Sequence, residues 1–153
     1  MKYSSEIIVD LTLKEFIKKF DSAENMKHWH RGLVSVEHVS GNPGMVGGKM
    51  KLNYLIDKRK MAITETITHQ NLPYGYHGIY SAKGIDNIQE NYFEEIANGS
   101  TKWTSTSEFI PLSFTMRAML WVMPKAFKKQ SMRYMKDFKN FAENGKSISH
   151  EKA

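Results

Sequence analysis

Glu65 is the residue in this chain whose setting most invites chemistry. It stands in a run where Met61, Ile63, Glu65 and Ile67 alternate with Ala62, Thr64, Thr66 and Thr68. On a strand, that period of two sends Glu65 to the same face as the apolar residues. A carboxyl on an apolar face loses solvation of its charged form, so its pKa rises and it can act as a general acid or base. Two other readings stay open at this stage. A sheet margin or bulge could turn Glu65 to water, or the carboxyl could serve as a simple polar contact to a ligand.

The remaining chemical candidates are weaker. His28 and His30 flank Trp29, a pair able to hold a metal if extended, but no third ligand stands at a credible spacing. The expectation is therefore no metal site, with both histidines at an exposed helix end. His69 and His77 flank the turn at Pro73 and are expected to face solvent near the sheet edge. Ser105 and Ser107 share a strand face with Trp103 and Phe109; either they or Thr104 and Thr106 point inward. No Gly-x-Ser-x-Gly elbow supports a serine nucleophile. The chain has no Cys, which removes thiolate metal sites, disulfides and cysteine nucleophiles. Glu65 is thus the one catalytic candidate, and no cofactor is expected. Tyr54, Tyr76, Tyr80 and Tyr92 offer rigid apolar bodies carrying one hydroxyl each, suited to a ligand pocket or to plain packing.

These residues must be positioned by strands and one long helical segment. The first strand is expected over 4–9. Thr12 with Glu15 forms a capping box before Phe16, Ile17 and Phe20, and Asp21 or Ser22 can cap a second short helix ending near Trp29. Strands follow over 33–39, 50–56, 61–68, 76–82, 88–96 and 102–110. The turn signals are Gly41-Asn42-Pro43-Gly44, Asp57-Lys58-Arg59, Pro73 with Gly75, and Asn98-Gly99. Strands joined by tight turns are antiparallel. Ser113 caps a helical segment expected to run to residue 143. At about 100° per residue, one face carries Met116, Leu120, Met123, Phe127, Tyr134, Phe138 and Phe141. Phe114, Trp121 and Val122 fall off that stripe, and Pro124 should kink or break the segment. A helix apolar nearly all round in its first half has more to cover than a sheet face, which suggests that it closes an internal cavity.

Length and composition bound the rest. The chain's 153 residues favour one domain, here expected over 1–146 with a polar, disordered tail over 147–153. No signal peptide or membrane-spanning stretch is evident, so a cytoplasmic location is the default. The net charge of +6 is localised. Residues 1–110 hold 13 basic and 13 acidic groups, whereas 111–146 hold eight basic groups against Asp137 and Glu143. That excess reads either as a solvated helix face or as attraction to an anionic membrane surface or ligand. Nucleic acid is not expected, because no binding motif is present and the other two-thirds of the chain is neutral.

The element order, with the segment ending near Trp29 followed by Val34-Ser35-Val36-Glu37, resembles the SRPBCC superfamily of START-like, helix-grip proteins. Within it, the chain is similar to the polyketide cyclase/dehydrase-like group. Further points of likeness are Gly41-Asn42-Pro43-Gly44 leading to Gly47-Gly48 and a strand, Thr64-Glu65-Thr66, Leu72-Pro73, and Trp103-Thr104-Ser105 running into Glu108-Phe109. The resemblance covers residues 3–142 and includes no catalytic motif. It implies an α+β fold in which a curved antiparallel sheet of about seven strands grips a C-terminal helix, with two short helices after strand 1. It also implies a cavity between sheet and helix that binds lipids, polyketides or other apolar compounds. The residues expected to line it are Tyr54, Ile63, Glu65, Ile67, Tyr76, Tyr80, Trp103, Ser105, Phe109, Met119, Met123 and Phe127. Three functions follow: carriage of a small apolar molecule; a cyclase or dehydratase with Glu65 as acid/base; or a module that contacts a membrane or partner, a second copy included, through the C-terminal helix.

Overall fold

The computed structural model describes residues 1–149. Seven strands form one antiparallel sheet: β1 (Lys2–Val9), β2 (Leu33–Ser40), β3 (Lys49–Ile56), β4 (Arg59–Asn71), β5 (Gly75–Ala82), β6 (Ile85–Glu95) and β7 (Thr101–Pro111). Their order across the sheet is β1-β7-β6-β5-β4-β3-β2. Between β1 and β2 lie α1 (Leu13–Phe20) and a single 3-10 turn, Met26–His28. The chain ends in α2 (Phe114–Val122) and α3 (Pro124–Asn144). This is the α+β helix-grip arrangement expected from the sequence.

Local chemistry explains the boundaries. Thr12 accepts the Glu15 amide at 3.3 Å and so caps α1, and Ser113 accepts the Met116 amide at 3.2 Å and caps α2. The β3–β4 hairpin turns on Asp57 and Lys58, both at positive φ, a two-residue loop whose twist matches that of the strands. The expected long helix is two helices. Met123 leaves helical geometry at φ −126° and ψ 54°, and Pro124 restarts the chain as the first residue of α3. There its missing N–H removes no helical bond. Gly145 closes α3 in the left-handed region at φ 68°, its amide donating to the Phe141 carbonyl.

The register sorts each strand into two faces. Tyr3, Ser5, Ile7 and Val9 of β1 lie opposite Ser107, Ser105, Trp103 and Thr101 of β7, and this set faces α1 and α3. At the α1 end the interior is aromatic and solid. Phe138 of α3 lies 4.9 Å from Phe16, 5.0 Å from Trp29 and 5.6 Å from Trp103, ring centre to ring centre. Phe16 and Phe138 are fully buried. Leu52 and Tyr54 of β3 anchor a smaller cluster with Met26. Arg31 reaches from the loop before β2 to Asp137 of α3 through two bonds, at 2.7 and 3.1 Å, tying that loop to the helix.

Residues 147–149 are not a free tail. The Ile148 amide donates to the His28 carbonyl at 3.0 Å, and the Ile148 side chain is buried. The remainder of the expected tail, 150–153, lies outside the described residues. α2 is the opposite case: only Leu120 is buried, while Phe114 and Trp121 are each 84% exposed.

This contrast generates a stability prediction. Phe138→Ala removes a fully buried ring and should cost about 3–5 kcal/mol in urea denaturation. Trp121→Ala should stay within about 0.5 kcal/mol of the parent. Equal losses at the two positions would show that α2 carries as much of the fold as α3 does.

Candidate functional site

Beyond the aromatic end, the inner face of the sheet turns polar. Three rows cross the central strands. Glu65 lies opposite Tyr80, which lies opposite Asn87, then Phe109. Ile67, Gly78, Gln89 and Ser107 form the next row, leading to Tyr3. Tyr76, Asn91 and Ser105 form the third, leading to Ser5. Gly78 keeps the middle of this wall low. A Cβ there would stand 3.2 Å from the Thr66 carbonyl oxygen and 3.4 Å from the Tyr80 ring, which leans across the gap.

Glu65 is 5% exposed, and its carboxylate is held from both sides. The Tyr80 hydroxyl donates to Oε2 at 2.7 Å and the Tyr76 hydroxyl to Oε1 at 3.1 Å. Burial raises the Glu65 pKa by disfavouring the charged form, and the two phenol bonds pull it partly back. The phenols themselves move upward through burial, reinforced by the Glu65 charge. They therefore remain protonated donors across the ordinary pH range.

A second group borders the first. His30 Nδ1 meets the Tyr54 hydroxyl at 3.0 Å and also contacts the Tyr134 hydroxyl, and the two hydroxyls are 3.1 Å apart. His30 is buried, and desolvation lowers its pKa to about 3, so it is neutral. Burial pushes Tyr54 up to about 12, with the Tyr134 bond opposing and the Glu65 charge adding. Burial raises Tyr134 as well, the Tyr54 and Glu65 charges contributing. The Glu65 and His30 groups thus sense one another electrostatically.

Several polar atoms of this region have no hydrogen-bond partner among the described residues: Ser5 Oγ, Trp29 Nε1, His30 Nε2 and Asn87 Oδ1. For His30 this holds in either tautomer. With Nδ1 engaged by the tyrosines, Nε2 is left as an unmatched donor or an unmatched acceptor. Tyr76, Tyr80 and Tyr134 face the interior and keep a minor part of their surface accessible. Chemically, the arrangement offers a carboxylate acceptor, protonated phenols and amide and hydroxyl groups on the inner face of the sheet. No cluster of three potential metal ligands occurs among the described residues.

The residues expected to line a site separate into groups. Glu65, Tyr76, Tyr80 and Ser105 share the polar wall, with Ile63 and Ile67 beside Glu65 on β4. Tyr54 joins through His30. Phe109 packs on Phe127 of α3 at 4.9 Å. Trp103 belongs instead to the solid aromatic core, where its indole donates to Asn91 Oδ1 at 2.9 Å. Met119 and Met123 are 42% and 52% exposed, because the break at Pro124 turns α2 out of phase with α3. Of the open alternatives on β7, the serines face inward, while Thr106 pairs with Ser4 on the outer face.

The histidines meet different outcomes. His30 is inside, not at an exposed helix end. His69 and His77 point outward as expected, stacked at 4.8 Å, but on the central strands β4 and β5 and not at the sheet edge. Hydropathy does not mark Asn87, Gln89 and Asn91, because the inward phase of β6 is polar; the signal for them is the hairpin register. Two open grooves mark the surface, one between α1 and the β4–β5 turn and one along Val34, Lys60 and Met61, and neither includes Glu65.

No protein-family model matches the sequence, and no curated protein matches it. Solved structures do. A conserved protein from Geobacillus kaustophilus aligns with a TM-score of 0.76 at 15% identity, over 93% of this chain and 95% of its own. Ara h 8.0201 aligns with a TM-score of 0.72 at 17% identity, over 93% and 97%. Ginseng major latex-like protein 151 from Panax ginseng aligns with a TM-score of 0.71 at 12% identity, over 93% and 97%. At these identities the likeness establishes the fold alone, the α+β helix-grip architecture expected above.

His30 gives the site a pH signature. Its folded pKa of about 3 lies below the unfolded value of 6.5. Between the two, the unfolded chain takes up a proton that the folded chain refuses. Stability should therefore fall as pH drops from about 6.5 toward 3. Glu65, with its raised pKa, acts in the opposite sense. Urea denaturation at pH 7 and pH 4.5 should show a smaller pH loss for His30→Gln than for the parent. Identical slopes would place a solvated, ordinary histidine at position 30.

Proposed function

We propose that this protein binds a small, largely apolar organic molecule between the sheet and α3, oriented by the polar wall around Glu65. The observation that carries the reading is the Glu65–Tyr76–Tyr80 constellation, set among polar atoms without partners at Ser5, His30 and Asn87. An unmatched buried polar group costs about 1–3 kcal/mol. A ligand that meets such groups recovers part of that cost, which a solid apolar core cannot explain. Ile63, Phe109, Leu120 and Phe127 supply apolar surface near the same wall. Burial of the ligand's own apolar area would contribute about 25 cal/mol per Å². The ligand class is an apolar skeleton with at least one hydroxyl or carbonyl, as in a lipid or a polyketide.

One observation favours a second reading, a cyclase or dehydratase acting on such a molecule. Glu65 has a raised pKa and lies against two protonated phenols. That set can accept a proton at the carboxylate and stabilise developing negative charge on oxygen through a phenol. Carriage is preferred because each carboxylate oxygen already receives a tyrosine bond.

The test uses an environment-sensitive apolar fluorophore and mass spectrometry of molecules extracted from purified protein. The fluorophore should bind near one-to-one and be displaced by hydroxylated fatty acids or polyketide-like compounds. Glu65→Gln should keep the fold yet weaken a hydroxylated competitor by about 10- to 100-fold, the worth of a hydrogen bond to a charged group. Glu65-dependent conversion of the ligand would select the enzymatic reading. A protein that binds no fluorophore and yields no extracted molecule would refute both.

A further inference from the structure

The exposed face of α2 is an apolar feature that the interior site leaves unexplained. At 100° per residue, Met116 and Leu120 point to the protein, and Phe114, Trp121 and Val122 point away. Val122 and Leu112 are 68% and 61% exposed, beside the two 84% exposed aromatic residues. A contiguous patch of this kind on one short helix marks a surface that is covered by something.

Topology supplies the charge around it. The strand turns alternate between the two ends of the sheet. The β3–β4 turn, the β5–β6 turn and the end of β7 fall at one end, and α1, the β4–β5 turn and the β6–β7 turn fall at the other. The α2 end therefore gathers Lys58, Arg59 and Lys60 on the first turn and Lys83 on the second. The Leu112 amide donates to the Gly84 carbonyl at 2.8 Å, which sets Lys83 beside the start of α2. Arg117 on α2 and Lys125, Lys128 and Lys129 on the first turns of α3 are all exposed. Asp57 and Asp86 are the acidic residues in these turns. The acidic residues of α3, Asp137 and Glu143, lie in its far half, already paired with Arg31 and Lys139.

We propose that this end of the protein docks on an anionic lipid bilayer. Phe114, Trp121 and Val122 would enter the headgroup–acyl boundary, and the surrounding lysines and arginines would face the lipid phosphates. An aromatic and aliphatic tip ringed by cations is the pattern that interfacial helices use. A second copy fits less well, because a symmetric contact through the same patch would bring the two basic rings together. The inference stands apart from whatever occupies the interior.

Trp121 is its own reporter, since the other two tryptophans, Trp29 and Trp103, are buried. The full chain should co-sediment with vesicles of phosphatidylcholine containing roughly a third phosphatidylglycerol, its Trp121 emission shifting to the blue, and should bind pure phosphatidylcholine far less. Trp121→Ala should weaken binding about tenfold or more. Lys125→Gln and Lys128→Gln should each weaken it about fivefold, and added salt should do the same. Trp121→Ala leaves the enclosed core untouched, so loss of vesicle binding with an unchanged urea midpoint supports the proposal. Equal binding to both vesicles, no binding to either, or a salt-resistant dimer that shields Trp121 from acrylamide would overturn it.

Discussion

A carboxylate taken out of water must be met by donors, and the inner wall of this protein is organised around that requirement at Glu65. Position 65 lies in the middle of β4, with β3 and β5 on either side, away from any sheet edge, and the register shift between Ile67 and His69 leaves Glu65 paired with Tyr80. The donors come from the neighbouring strand, at the same height and two rows along. Tyr80 and Tyr76 occupy those two places, and their rings carry the hydroxyls far enough from β5 to reach both oxygens. Gly78, between them, leaves the space over which Tyr80 leans. Substituting any one of the three would change the solvation of the carboxylate as well as local packing.

The interior is divided along its length. Six aromatic rings, among them Phe16, Phe93 and Phe138, fill the α1 end, where the sheet, α1 and α3 come closest. The other half holds Asn87, Gln89, Asn91, Ser105 and Ser107 on the same face. A sheet selected only for stability would place Val or Ile at those positions. Local departures from the stabilising choice are expected where a site is kept, and the aromatic end offsets their cost. Ser5 Oγ, His30 Nε2 and Asn87 Oδ1 fall in or beside the polar half, whereas Trp29 Nε1 lies at the aromatic end.

Much of the scaffold was legible in the sequence for simple reasons. β3 and β4 alternate cleanly, Thr12 and Ser113 are strong caps, and Asn98-Gly99 sits between two alternating runs. The inward direction of Glu65 followed from three apolar neighbours with the same phase. β6 was different: Asn87, Gln89 and Asn91 alternate with Ile88, Glu90 and Tyr92, so neither phase is clearly apolar. Their direction depends on pairing with β5 and β7, which is long-range information. The surroundings of His30 are also long-range, with Tyr54 from β3 and Tyr134 from α3, so its burial is not legible locally. The spacing His-x-His suggested only metal or surface, and nothing local says that the chain passes between sheet and helix there. Pro124 was visible as a break, but the phase change it imposes was not, which is why Met119 and Met123 were expected inside.

That phase change has a mechanical consequence. Because the helical hydrogen-bond ladder is interrupted at Met123, α2 is not held in place by α3 through the backbone. Its attachments include the Leu112–Gly84 bond and the burial of Leu120. Withdrawing one leucine from its contacts costs about 1.5–3 kcal/mol. This is small beside the aromatic cluster, which involves α1, α3 and most of the sheet. α2 can therefore separate from the body in a motion that leaves every strand pairing and the Phe138 core intact, as local opening of the least stable segment. It stands at the end of the sheet opposite the aromatic core, on the side of the polar half. A long helix without Pro124 would have tied that movement to the disruption of α3 itself.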